Sequence, residues 1–104
     1  MSVLVTLIAP GDPKAIEHVA QADPDKMAKI VDHAKSCGLI AHRFYGSEGK
    51  CMVIDEWPDA ASFQKFFSEM ESEIGPMMQQ ALTGEPEITF WTKLDTGDDV
   101  GWGE

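Results

Sequence analysis

The sequence predicts an α+β domain in which four antiparallel β-strands carry helices on one face of their sheet. Three observations support this fold class. Four short segments are rich in β-branched and aromatic residues, the segments between them have helical apolar spacing, and Asp, Pro or Gly stands where one kind of segment gives way to the next. The 104 residues suit a single compact domain.

The N-terminal part of the chain predicts one strand followed by two capped helical segments. The stretch "VLVTLIA" is rich in β-branched residues and is typical of a buried strand. Asp12-Pro13 and Asp23-Pro24 each offer a helix N-cap with proline at the first helical position. The second segment has the better apolar periodicity, and Gly38 is a natural stop after it.

The middle of the chain predicts a β-hairpin. Residues 39–45 and 51–57 have strand character, and the short glycine-bearing stretch between them favours a tight connection. Pro58 ends the second strand because proline cannot donate a hydrogen bond to a neighbouring strand. Asp59 can then cap the following helix.

The remaining part predicts a helix, a last strand and a tail. An apolar stripe indicates that the helix packs on the sheet, and it consists of Phe63, Phe66, Phe67, Met70 and Ile74. We expect Gly75-Pro76 to interrupt this helix and Pro76 to begin a last short helix. Residues 87–94 predict the fourth strand. Residues 1–94 are therefore expected to form one domain and residues 95–104 an acidic flexible tail, in which Trp102 could dock on the domain.

The resulting element order is β-α-β-β-α-β, which is the ferredoxin-like arrangement with a four-stranded antiparallel sheet. Several of the strands are apolar on both faces, as "VLVTLIA", "CMVI" and "ITFW" illustrate. A sheet of that kind needs a cover on each side, and the helices supply one cover. The sheet of a second copy is the expected source of the other, so we predict a homodimer that forms a dimeric α+β barrel.

Composition and charge exclude several classes of partner and site. The net charge is −10 with eight scattered Lys and Arg residues, so neither nucleic acid nor an anionic membrane is an expected partner. The N-terminus has no basic region before its short apolar run, and we expect a cytoplasmic protein with Cys37 and Cys51 as free thiols. Two cysteines and three separated histidines show no metal-ligand spacing, so no metal site is expected.

The chain resembles the dimeric α+β barrel superfamily and, within it, the antibiotic-biosynthesis-monooxygenase-like (ABM-like) domains. The resemblance covers most of residues 3–94 and depends on the element order together with an acidic-x-Trp strand end that leads into a helix. That motif consists of Asp55-Glu56-Trp57, Pro58-Asp59, Ala61, Phe63, Phe66 and Phe67. The family includes oxygenases without metal or flavin and haem-degrading enzymes that ligate iron through a histidine on the second helix. No histidine lies between Pro58 and Leu82, so we expect no haem and no other cofactor.

The candidate site depends on the register of the predicted hairpin. A two- or four-residue loop places His42 opposite Asp55, so that both share one face with Trp57, whereas a three-residue loop would separate them. In the even register Arg43 and Tyr45 lie on the other face, where Arg43 could pair diagonally with Glu56. An alternative interpretation is that His42 and Asp55 are merely a satisfied cross-strand pair.

Two functions follow as hypotheses. The resemblance implies a small-molecule oxygenase without metal or flavin that acts on an aromatic or polyphenolic substrate. Its predicted catalytic residues are His42 as base, Asp55 as the group that orients the imidazole, and Tyr45 as a donor to an oxyanion. The predicted substrate-binding residues are Arg43, Phe44, Trp57 and Phe67. The alternative is a non-catalytic module that binds a small hydrophobic ligand or a partner on the same dimeric fold.

Overall fold

The computed structural model describes residues 2–101, which form four strands and three helices. The elements are β1 (Val3–Pro10), α1 (Pro13–Ala22), α2 (Pro24–Ser36), β2 (Ala41–Ser47), β3 (Lys50–Trp57), α3 (Ala60–Ala81) and β4 (Glu87–Trp91). The sheet has the strand order β2-β3-β1-β4, and every neighbouring pair is antiparallel. This is the predicted ferredoxin-like fold. Trp102, which was expected to be able to dock, lies outside the described residues.

Each of the three helices begins after an aspartate that accepts a hydrogen bond from a backbone N–H of the first turn. The distances are 3.0 Å at Asp12, 3.1 Å at Asp23 and 2.8 Å at Asp59. Such caps satisfy donors that have no partner inside the helix. At the other end of α2, Gly38 has a φ of 110°, a value that favours glycine. The predicted starts of all three helices and the stop at Gly38 are therefore confirmed.

The predicted break at Gly75-Pro76 is wrong, because α3 is a single helix that continues through Pro76. Proline inside a helix removes one backbone hydrogen bond and costs about 3 kcal/mol or more. Apolar residues on both sides of the proline offset this cost, since Met70 is buried in the core and Ile74 and Met77 pack against it. Tertiary packing thus overrides a local break signal.

The fourth strand ends at Trp91, three residues earlier than expected. Trp91 pairs with Leu4, and β1 extends only one residue beyond Leu4, to Val3. The residues after Trp91 therefore have almost no backbone partners in β1. Residues 92–101 are exposed and form no helix or strand.

The two faces of the sheet have different surroundings. On the inner face, Val5, Leu7 and Val53 are buried beneath α2 and α3 together with Trp57 and Phe66. The outer face carries the alternate residues, and none of the three helices between residues 2 and 101 covers it. Its apolar members are Leu4, Ile8, Tyr45, Met52, Ile54 and Trp91, of which Leu4, Ile8, Tyr45 and Trp91 are exposed. Within residues 2–101, none of the helices has the length and apolar character needed to cross a bilayer.

Candidate functional site

The hairpin formed by β2 and β3 has the register that places His42 opposite Asp55. Only Glu48 and Gly49 lie between the strands, and Gly49 has a φ of 76°. This two-residue connection fixes which side chains share a face, because a shift of one residue would move every side chain to the other face. The predicted register is confirmed.

Asp55 forms the centre of a short chain of hydrogen bonds on the inner face. Its Oδ1 lies 2.6 Å from Nδ1 of His42, and its Oδ2 accepts a hydrogen bond of 3.2 Å from the indole Nε1 of Trp57. Asp55 is 6% exposed and Trp57 is fully buried. Both carboxylate oxygens therefore have partners, as a buried polar group requires.

This arrangement orients the imidazole of His42. A carboxylate accepts hydrogen bonds but does not donate them, so Nδ1 of His42 carries the proton that Asp55 accepts. In the neutral ring, Nε2 then has a lone pair. No other residue in the described range 2–101 forms a hydrogen bond with this Nε2. The ring of Phe44 packs edge-on against the imidazole, with centroids 5.3 Å apart.

A cavity of about 80 Å³ lies between the inner face of the sheet and helices α2 and α3. Its polar lining residues are His42 and Asp55, and the remainder of its wall is apolar. The strands contribute Leu7, Phe44 and Val53, α2 contributes Met27, Ile30, Val31 and Ala34, α3 contributes Phe63, Phe66, Phe67, Ile74, Met77 and Met78, and Leu39 completes the wall. An apolar cavity with a few converging polar groups is the usual form of a small-molecule site.

The structure brings together part of the predicted site. His42, Asp55, Phe44 and Phe67 all line the cavity. Trp57 is not a lining residue, because its ring packs behind the cavity wall against Phe63 and Phe66, at centroid distances of 5.9 and 5.4 Å. It contacts the site through its hydrogen bond to Asp55.

Arg43 and Tyr45 lie on the outer face and do not reach the cavity. They alternate along β2 with His42 and Phe44, whose side chains point inward. Nη1 of Arg43 lies 3.2 Å from the hydroxyl of Tyr45. The expected pair between Arg43 and Glu56 is wrong, since Glu56 instead accepts a hydrogen bond from the hydroxyl of Ser2.

The sequence interpretation missed the wall that α2 contributes to the cavity. Met27, Ile30 and Val31 have the apolar spacing of a helix face, which indicates burial but does not distinguish a cavity wall from a filled core. The methionines of α3 were a weak indication of a cavity, since flexible thioether side chains suit an adaptable cavity wall.

A second polar cluster joins α2 to α3 at the protein surface. Nε2 of His33 lies 2.8 Å from Oε1 of Glu69, and Nζ of Lys65 lies 2.9 Å from Oε2 of the same carboxylate. The hydrogen bond from Lys65, and then the one from His33, lower the pKa of Glu69. Sγ of Cys37 lies 3.8 Å from Nε2 of His33 and 3.9 Å from Oε1 of Glu69. These are half-exposed groups at the protein surface.

Sequence comparisons give no match for this chain: no family model and no curated protein matches it. Solved structures do match. A monooxygenase from Streptomyces coelicolor in complex with nanaomycin D superposes with a TM-score of 0.70 at 13% identity, covering 91% of this chain and 89% of that one. An antibiotic biosynthesis monooxygenase gives a TM-score of 0.64 at 16% identity, covering 91% of this chain and 100% of that one.

A dimeric ferredoxin-like protein from an uncultured marine organism gives a TM-score of 0.66 at 12% identity, covering 90% of this chain and 89% of that one. Proteins of unknown function match as well. At these identities the likeness concerns the fold. The chain thus has an α+β ferredoxin-like, ABM-like fold with a four-stranded antiparallel sheet, which it shares with antibiotic biosynthesis monooxygenases, with a dimeric ferredoxin-like protein and with proteins of unknown function.

Proposed function

We propose that this protein is a small-molecule oxygenase that uses neither metal nor flavin and acts on an aromatic substrate in the cavity beside His42. The observation that supports this most directly is the position of an oriented imidazole, bonded through Nδ1 to Asp55, in an otherwise apolar wall. An oriented base that faces an apolar cavity is suited to removing a proton from carbon next to an electron-rich ring.

The proposed reaction uses dioxygen as its second substrate. Nε2 of His42 takes a proton from a CH₂ group that lies between aromatic or carbonyl groups of a polyphenol. The resulting carbanion transfers electrons to dioxygen and forms a carbon–oxygen bond, giving a peroxide. Loss of water from the peroxide leaves a carbonyl, so that CH₂ and O₂ become C=O and H₂O. Asp55 keeps the imidazole in the required tautomer and stabilises its positive charge.

The size of the cavity constrains the substrate. Pockets for drug-sized ligands usually have about 300–1,000 Å³, well above the 80 Å³ present here. A fused aromatic ring system therefore fits only if side chains of the wall move. Met77, Met78 and Met27 are the wall residues with the most rotatable bonds, and they can change rotamer at low cost.

The alternative function is a binding module without turnover. It is favoured by the complete pairing of Asp55, whose two oxygens are already bonded to His42 and Trp57. A cross-strand pair with a purely structural role would form the same two hydrogen bonds. The two functions differ in one respect, since only the enzyme requires Nε2 of His42 to accept a proton during turnover.

The test is oxygen consumption with a panel of polycyclic phenols that carry an acidic CH₂ group. We expect turnover by the wild type and a decrease of about 10²–10⁴-fold in kcat for His42→Ala, the usual contribution of a general base. His18→Ala is the matched control, because His18 is exposed on α1. Binding of the same compounds without oxygen consumption would favour the module. Unchanged turnover in His42→Ala would contradict the proposed mechanism.

We further propose that the protein functions as a homodimer through the outer face of its sheet. Leu4 and Ile8 are 40% and 37% exposed there, and Trp91 is 51% exposed. A row of exposed apolar residues across a sheet is typical of an interface. Light scattering should give twice the chain mass of 11.4 kDa, and Leu4→Glu should give a folded monomer. Leu94→Glu, which changes an exposed residue outside the sheet, should leave the mass unchanged. A monomeric wild type would contradict this assembly.

A further inference from the structure

We propose that His33, Cys37 and Glu69 form a zinc-binding site on the surface between α2 and α3. The three side chains offer one imidazole nitrogen, one thiol sulfur and one carboxylate oxygen, and these ligand atoms lie within 4.8 Å of one another. This combination of borderline and soft donors suits Zn²⁺ better than Mg²⁺ or Ca²⁺, which prefer oxygen ligands alone.

The distances between the ligand atoms are close to those of a tetrahedral zinc site. Zn–S bonds of about 2.3 Å and Zn–N or Zn–O bonds of about 2.0–2.1 Å, at tetrahedral angles, put sulfur about 3.6 Å from the nitrogen and the oxygen. The observed distances from Sγ of Cys37 are 3.8 Å to His33 and 3.9 Å to Glu69. The same geometry separates nitrogen and oxygen by about 3.3 Å. His33 and Glu69 are 2.8 Å apart because they share a hydrogen bond, and they need to separate by only about half an ångström.

The helices hold two of the ligands in a fixed relation. His33 lies in the last turn of α2 and Cys37 is the C-cap residue that follows the helix, with its backbone still in the right-handed helical region, so the two side chains, four residues apart, project to the same side. Their distance is therefore set by helix geometry and does not depend on a mobile loop. Glu69 comes from the neighbouring α3 and closes the site.

Lys65 has a supporting position next to this site. It lies one turn before Glu69 on α3 and bonds to Oε2, so Oε1 is the oxygen that faces His33 and Cys37. A carboxylate whose second oxygen is held in this way can bind a metal through the first oxygen alone. The protein supplies three ligands, and water would take the fourth tetrahedral position because the cluster is half exposed.

Zinc at this site would link the two helices that form the cavity. Phe66 lines the cavity, and its ring centroid lies 6.0 Å from that of His33. Ala34, which also lines the cavity, is the residue after His33 on α2. A metal bridge from α2 to α3 would therefore restrain the two helices that line one side of the cavity. The site itself does not depend on the proposed oxygenase activity.

The first experiment measures metal binding directly. Protein freed of metal with a chelator is titrated with Co²⁺ and then with Zn²⁺. We expect one Co²⁺ to bind per chain and to give the intense visible bands of tetrahedral cobalt together with a thiolate-to-cobalt charge-transfer band. Both features should disappear when Zn²⁺ displaces the cobalt. We also expect Zn²⁺ to raise the Tm, because a ligand that binds the folded state stabilises it.

The ligand variants and their controls identify the site. Cys37→Ser should abolish the charge-transfer band, and His33→Ala and Glu69→Gln should each weaken Zn²⁺ binding at least tenfold. Cys51→Ser and His18→Ala change the same residue types away from the cluster and should bind as the wild type does. Absence of the charge-transfer band in the wild type, or unchanged binding in Glu69→Gln, would overturn the proposal.

A second measurement uses the unaltered protein, so it does not depend on the folding of a variant. Zn²⁺ should slow alkylation of Cys37 by iodoacetamide at least tenfold, since a coordinated thiolate is less available to react. Cys51 is the internal control. It is buried, and burial together with the charge of Asp12 raises its pKa, so its alkylation should be slow with or without Zn²⁺. Equal alkylation of Cys37 in the presence and absence of Zn²⁺ would overturn the site.

Discussion

Replacing Trp57 by Phe removes the indole N–H that Asp55 accepts on the inner face of the sheet. The hydrogen bond is 3.2 Å long, and both residues are buried. Phe retains an aromatic ring at this position but has no donor. The substitution therefore leaves Oδ2 of Asp55 without its partner, at a depth where water cannot easily replace it.

The expected loss of stability follows from two contributions. A hydrogen bond to a charged group contributes about 1.5–3 kcal/mol. The roughly 40 Å² of ring surface that Phe lacks contributes about 1 kcal/mol at about 25 cal/mol per Å². Together they predict a decrease of about 2.5–4 kcal/mol in the free energy of unfolding. At about 4–8 °C per kcal/mol, the Tm should fall by at least about 10 °C.

Trp91→Phe is the matched control. Its indole also donates a hydrogen bond, of 2.8 Å, but to the neutral hydroxyl of Thr6, and Trp91 is half exposed. That bond should contribute only about 0.5–1.5 kcal/mol. Urea unfolding is followed by circular dichroism, because each variant loses a tryptophan fluorophore. All variants are compared at one protomer concentration, because association affects the apparent stability.

A double-mutant cycle separates the hydrogen bond from the packing. In an Asp55→Asn background, where the acceptor is no longer charged, Trp57→Phe should cost at least about 1 kcal/mol less than in the wild type. The reasoning would be refuted if the cost were the same in both backgrounds, or if Trp57→Phe destabilised the protein no more than Trp91→Phe does.

Two further predictions concern the hairpin and a helix cap. A Cβ added at Gly46 would lie 2.7 Å from Cβ of Pro13, so Gly46→Ala should lower the Tm in thermal unfolding, and an unchanged Tm would mean that α1 moves away freely. Hydrogen bonds from the first turn of α3 lower the pKa of Asp59 below 3.8, so its contribution to stability is present at neutral pH and is lost as the pH falls through the lowered pKa. Asp59→Asn retains a cap without the titrating charge. The Tm advantage of the wild type over this variant should therefore decrease as the pH falls through and below the usual range of an aspartate, and an advantage independent of pH would contradict this assignment.

The features that sequence analysis predicted correctly depend on short-range rules. An even number of residues in the hairpin connection placed His42 opposite Asp55, and Asp12, Asp23 and Asp59 marked the helix starts because a cap interacts only with its own first turn. Such features involve residues that are close in the chain, so the sequence alone contains the geometry.

The features that it missed depend on contacts between distant elements. Pro76 indicates a break locally, but packing of its neighbours against the core keeps α3 continuous. Spacing along the chain did not predict the cluster proposed to bind zinc, because Glu69 joins His33 and Cys37 only through the packing of α3 beside α2. The cavity likewise depends on how far the two helices lie from the sheet, a distance that apolar periodicity does not encode.

The alternation along β2 has a consequence for how the protein can diverge. His42 and Phe44 face the cavity, while Arg43 and Tyr45, which alternate with them along the strand, face the opposite surface, where we place the second copy. In the proposed dimer, neighbouring residues of β2 would thus be under separate selective pressures, one from a ligand and one from a partner chain. A lineage with this architecture can acquire a new ligand through substitutions at even positions of the strand and keep its assembly intact. It can equally alter its assembly through odd positions and keep its chemistry.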